Sequence, residues 1–142
     1  MKKILIVDDE PNIVMALEYT LKKNDFQVFI ARDGEEAIQM AQDKFPDVVV
    51  LDIMMPKVDG FEVLTQIKQN ENLAHTKVIF LSAKNKATDI QKGMDRGADD
   101  YLTKPFSMKK ILKTIEEQIR SSKLKVGSGK WEVESKKLKV GS

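Results

Sequence analysis

Five times along the 142 residues a short apolar run is followed by a segment of helical periodicity, and this alternation restricts the fold more than any other feature. Ile4-Leu5-Ile6-Val7 precedes Ile13, Leu17 and Leu21; Phe26 to Ile30 precedes Ala37, Ile38 and Ala41. Val48-Val49-Val50-Leu51 precedes Phe61, Leu64 and Ile67; Lys77 to Ser82 precedes Ala87, Ile90 and Met94. Tyr101-Leu102-Thr103 precedes Met108, Ile111, Leu112, Ile115 and Ile119, the clearest amphipathic helix. Continuous apolar runs bounded by breakers are strands buried on both faces, whereas the alternating run at 26–30 belongs nearer a sheet edge. Strict βα alternation implies a parallel sheet with helices on both faces.

In a parallel sheet every strand's carboxyl end lies on one edge, and open α/β sheets bind ligands there. Four of the five runs end in polar side chains: Asp8 and Asp9, Asp52, Ser82, and Lys104. The topology therefore makes these groups converge. Converging carboxylates raise one another's pKa unless a cation is present. The chain has no cysteine, and its one histidine, His75, lies in a polar connection. Hard oxygen ligands without sulfur or imidazole favour Mg²⁺, which Asp8, Asp9 and Asp52 can hold directly or through water. A free oxygen of Asp52 is then a nucleophile of the kind that accepts phosphoryl groups. Lys104, the Ser82 hydroxyl and the Ala83 backbone N–H are placed to neutralise the phosphoryl oxygens, and an acyl phosphate forms without a general base.

Residues 1–120 resemble the receiver domain of bacterial two-component response regulators, the CheY-like family. The matching pieces are Ile4-Leu5-Ile6-Val7-Asp8-Asp9-Glu10, Leu51-Asp52-Ile53-Met54-Met55-Pro56 with Asp59-Gly60, Leu81-Ser82-Ala83-Lys84, and Gly97-Ala98-Asp99-Asp100-Tyr101-Leu102-Thr103-Lys104-Pro105-Phe106. The resemblance implies a flavodoxin-like doubly wound fold with strand order 2-1-3-4-5. It implies Asp52 as phosphoacceptor, Asp8 and Asp9 as the acidic Mg²⁺ site, the Met54 backbone carbonyl as a further metal ligand, and Ser82 and Lys104 as phosphate contacts. It also implies a sensor histidine kinase or phosphotransfer protein as donor, a cis bond at Lys104-Pro105, and a switch in which Ser82 and Tyr101 restructure the surface of residues 85–120 for a downstream effector or output domain. Such a domain is a regulatory phosphoacceptor rather than an enzyme, cytoplasmic, and either a monomer or a phosphorylation-dependent dimer.

Other readings account for less. A Mg²⁺-dependent phosphohydrolase with an Asp nucleophile generally needs a second Asp two residues on, where this chain has Met54. The net charge of +2 with scattered lysines gives no basic groove, so direct nucleic-acid binding is not expected. No run is long enough to span a membrane. Met54 and Met55 read as exposed loop residues available to a partner. Residues 121–142 change character: Leu124/Val126, Trp131/Val133 and Leu138/Val140 alternate with polar residues, and Lys-Leu-Lys-Val-Gly-Ser occurs twice. These pairs predict small strands, either the opening of a truncated winged-helix output domain or an appended β-ribbon. In the fifth helix, Lys110 and Thr114 stand where receivers of the winged-helix subfamily usually carry an acidic residue and an arginine for dimerisation.

Overall fold

The computed structural model describes residues 1–55, 59–83 and 87–126, with side chains to residue 121. The elements alternate as β1 (Lys3–Val7), α1 (Pro11–Lys23), β2 (Gln27–Ala31), α2 (Gly34–Lys44), β3 (Val48–Asp52), α3 (Gly60–Gln69), β4 (Lys77–Ala83), α4 (Ala87–Asp95), β5 (Asp100–Lys104) and α5 (Met108–Val126), with a 3₁₀ turn at Glu71–Leu73. The five strands form one parallel sheet in the order β2-β1-β3-β4-β5. This is the flavodoxin-like arrangement expected from the alternation and the resemblance.

The central strand explains why its run is apolar without a break. Val49 and Leu51 enter the layer beneath α2, α3 and α4, while Val48 and Val50 enter the layer beneath α1 and α5. β2 is an edge strand whose Val28, Phe29 and Ile30 are only half-buried, as its alternation predicts. The local punctuation acts as its chemistry requires. Pro11 opens α1, where a missing N–H costs nothing. Asp33 and Asp59 cap α2 and α3 through backbone N–H groups of Glu36, and of Phe61 and Glu62. Pro46 follows the end of α2, with Phe45 turned into the left-handed region at φ 50°. The Lys104-Pro105 bond is cis.

Two expectations change, and the departure at Thr114 gains a structural reason. Met54 is exposed, but Met55 is buried in the same core layer as Ile53 and Phe61, on the α2–α3 side of the sheet, where its apolar side chain leaves water. α5 continues to Val126, so the period-two pair Leu124/Val126 lies in helix, and the character change expected at residue 121 does not end the element. Thr114 is buried and its hydroxyl donates to the Lys110 carbonyl one turn back, so position 114 presents no side chain to a dimer surface. The predicted strand pairs Trp131/Val133 and Leu138/Val140, and the loop residues Pro56, Lys57 and Lys84, lie outside the described residues. Among the described residues, no helix is long and apolar enough to cross a membrane.

Candidate functional site

The sheet order reverses between β1 and β3, because β1 connects outward to β2 on one side while β3 leads the chain the other way. The crevice at that reversal is where doubly wound sheets hold ligands. Asp8 follows directly on β1 and Asp52 ends β3, so two carboxylates open onto it, both buried. β4 delivers Ser82, fully buried, and the register places Ala83 beside Lys104 of β5.

Lys104 ties the site together. Its Nζ donates to Asp52 Oδ2 at 3.0 Å and to Glu10 Oε1 at 2.8 Å, and lies 3.6 Å from Asp8 Oδ2. Asp52 Oδ1 accepts from the Met54 backbone N–H at 2.8 Å, and Asp8 Oδ1 from that of Glu10 at 2.9 Å. Asp8 Oδ2 is buried without a hydrogen-bond partner among the described residues. Burial pushes the Asp8 carboxyl up to about 6; the Glu10 N–H and the Lys104 charge pull the other way, and the Asp52 and Glu10 charges add to the rise. Burial also works against the Lys104 ammonium. Its bonds to Glu10 and Asp52 and the nearby acidic charges outweigh that, leaving its pKa above the ordinary lysine value.

A cation fits this constellation. Oxygens of Asp8, Glu10 and Asp52 lie within 4.8 Å of one another, one buried oxygen has no donor, and the donor set is wholly hard oxygen, the chemistry of Mg²⁺. Asp9 stands beside this group, exposed to solvent and outside the cluster of three converging oxygens. Glu10 enters the sequence reading only as the last residue of the Asp8-Asp9-Glu10 motif. Its link to Lys104 spans 94 positions, a pairing no local pattern carries. Among the described residues, Ser82 Oγ donates only to the adjacent Ala83 carbonyl, at 3.2 Å. Tyr101 is 38% exposed, its ring 5.9 Å from that of Phe80. His75 sits on the surface 3.4 Å from the Phe45 carbonyl, just before β4 and so at the sheet's amino edge, opposite the groups above.

A doubly wound α/β domain whose switch-point crevice brings buried carboxylates to one lysine, with a buried hydroxyl on the next strand, is of the flavodoxin-like class, with its polar site at the carboxyl edge of the sheet. The family is more definite than the class. Residues 4–116 match the response regulator receiver domain, and the chain belongs to that family, the receivers of two-component systems. It is 42% identical over 123 residues to the alkaline phosphatase synthesis transcriptional regulatory protein PhoP of Bacillus subtilis, an alignment covering 87% of this chain and 50% of that protein. The chain thus spans about half the length of this curated relative. Its fold is similar to the chemotaxis response regulator CheY4 of Vibrio cholerae, with a TM-score of 0.78 and 32% identity over 83% of this chain and 98% of that one. It also resembles NtrX of Brucella abortus, with a TM-score of 0.82 and 28% identity over 92% of this chain and 29% of the other.

Proposed function

We propose that this domain is a phosphorylation-controlled switch in which Asp52 accepts a phosphoryl group from the phosphohistidine of a sensor kinase or phosphotransfer protein. The observation that carries the reading is the Asp52 carboxylate at the end of the central strand, held by Lys104 at 3.0 Å with the unpartnered Asp8 oxygen beside it. An Asp52 oxygen forms the O–P bond as the P–N bond of the donor breaks; the electron pair stays on the imidazole nitrogen, which is reprotonated from solvent. The protein's task is positioning and charge neutralisation. Lys104 meets one phosphoryl oxygen, and the Ser82 hydroxyl and Ala83 N–H another. The Met54 N–H keeps the carboxylate oriented. Asp8, Asp9, Asp52 and the Met54 carbonyl, with Glu10 in reach, would hold Mg²⁺, which supplies positive charge to the transferring group when bound.

The family supports a regulatory rather than an enzymatic role, with no substrate turned over. Among the described residues Ser82 has a single long local bond to give up, and Tyr101 stands partly in solvent, which supports a second position for each. Phosphorylation adds up to two negative charges and biases such an element. The surface of α4, β5 and α5 would then change its affinity for an effector or output domain, with the chain monomeric or dimerising when phosphorylated. A cytoplasmic setting accords with a kinase donor of this class.

Intact-protein mass spectrometry after incubation with phosphoramidate and Mg²⁺ tests the reading. One phosphoryl adduct is expected, absent in Asp52→Asn and without metal. A folded protein that binds Mg²⁺ yet gains no adduct overturns it.

A further inference from the structure

Glu10 sits at the N-cap of α1 but makes no side-chain capping bond. The site therefore holds an acidic residue whose obvious local use is unfilled. Its carboxylate instead takes the Lys104 ammonium at 2.8 Å, the shorter of that lysine's two bonds. The two acceptors differ in setting: the Glu10 side chain is 56% exposed and that of Asp52 3%. Lys104 thus spans from the mouth of the crevice to its floor.

We infer that Glu10 is a positioning residue that competes with the phosphoryl group for Lys104, restraining phosphorylation of Asp52 by holding the ammonium at the mouth of the site. This rests on the reading of Asp52 as phosphoacceptor. When Asp52 becomes an acyl phosphate its carboxylate loses its charge, and with it most of its hold on Lys104. Glu10 keeps its charge throughout. It remains the one short ion-pair partner that still draws the ammonium away from the phosphoryl oxygens. An exposed ion pair is worth little in stability, but here its strength is set against a transition-state contact of the same lysine.

The test compares Glu10→Gln and Glu10→Asp with the parent protein. Phosphorylation by phosphoramidate is followed by mass spectrometry at saturating Mg²⁺. Mg²⁺ affinity is measured by calorimetry, and protection of the Lys104 ammonium protons from exchange by nitrogen NMR of the unphosphorylated protein. Both variants are expected to react about two- to fivefold faster, the factor an exposed pair supplies, and both should lose ammonium protection. Glu10→Asp retains the charge on a side chain one methylene shorter, so it separates the contact from the charge. Two outcomes overturn the inference. One is Glu10→Asp behaving as the parent while Glu10→Gln accelerates, which would make bulk charge the cause. The other is a large loss of Mg²⁺ affinity in Glu10→Gln with no gain in rate, which would make the cation the residue's partner. Absence of any adduct in the parent protein counts instead against the phosphoacceptor reading, and the ammonium protection still reports whether Glu10 holds Lys104.

Discussion

A carboxyl group closed off from water resists ionisation, and Asp8 is fully buried with one oxygen unpartnered. Because its folded pKa of about 6 lies above the ordinary 3.8, the folded chain keeps a proton there that the unfolded chain has shed. Stability from this group is therefore whole below about pH 4 and is lost as pH rises through 6, by about 3 kcal/mol from a shift of that size. Asp8→Asn removes the dependence. In metal-free buffer the variant should be the more stable at pH 7, and its advantage over the parent should vanish by about pH 4. Urea unfolding of both proteins across that range checks this, and Mg²⁺ should stabilise the parent alone. The convergence of Asp8, Asp52, Ser82 and Lys104 is legible in the chain because each ends a strand and the topology fixes where strands end. The partnership of Glu10 with Lys104 and the inward turn of Met55 are not legible, since both depend on which way a side chain points after the strand is over.

At the scale of elements, α4 is the helix whose sequence pattern is weakest, interrupted at Gly93. The interruption has a packing cause. A Cβ at Gly93 would lie 2.5 Å from the Phe80 ring, so the helix sits on β4 closer than any side chain permits. Alanine there adds about 1 kcal/mol of helix propensity, but overpacking a ring in a filled core costs about 1–3 kcal/mol. Gly93→Ala should therefore lower stability despite favouring the helix, and Gly93→Ala with Phe80→Leu should recover part of the loss; thermal unfolding of the pair decides. Phe80 also meets Tyr101, so a shifted ring should alter the tyrosine's environment, seen in its fluorescence. α4 is further held to α3 by Lys92 Nζ, 4.3 Å from the centre of the Phe61 ring, and by Arg96, which donates to the Thr65 hydroxyl at 3.0 Å. The existence, type and order of the elements follow from periodicity alone. The length of α5 does not, because alternating Lys and apolar residues at 123–126 fit a strand's period as well as the end of a helix.

Across the whole molecule the two edges of the sheet carry opposite duties. The carboxyl edge gathers groups that strain against one another, with Asp8 Oδ2 lacking a hydrogen bond among the described residues and Lys104 shared among three carboxylates. The amino edge gathers groups that satisfy one another. There Asp99 accepts from Lys68 Nζ at 2.6 Å and from the Val78 N–H at 2.8 Å, with Lys77 Nζ 3.8 Å away. Lys68 donates as well to the Thr76 carbonyl, and the Thr76 hydroxyl to that of Pro46. This network joins α3 to the starts of β4 and β5, and its partly buried charges make its loss expensive. Asp99→Ala removes at once the carboxylate that pairs with Lys68 and Lys77 and the acceptor of the Val78 N–H. A loss of about 2–4 kcal/mol is expected, near the cost of breaking a largely buried ion pair from one side. Because Asp99 and Lys104 lie at opposite ends of β5, the same variant should reach the parent's full extent of Asp52 phosphorylation at a temperature where both are folded. Denaturant unfolding measures the first effect and the mass-spectrometric endpoint the second. A fall in the endpoint with intact folding would mean that the two edges are coupled through β5. The separation has a physical source: a parallel sheet directs every strand's outgoing loop to one side, so residues held there against their own stability can be balanced by pairings made at the other.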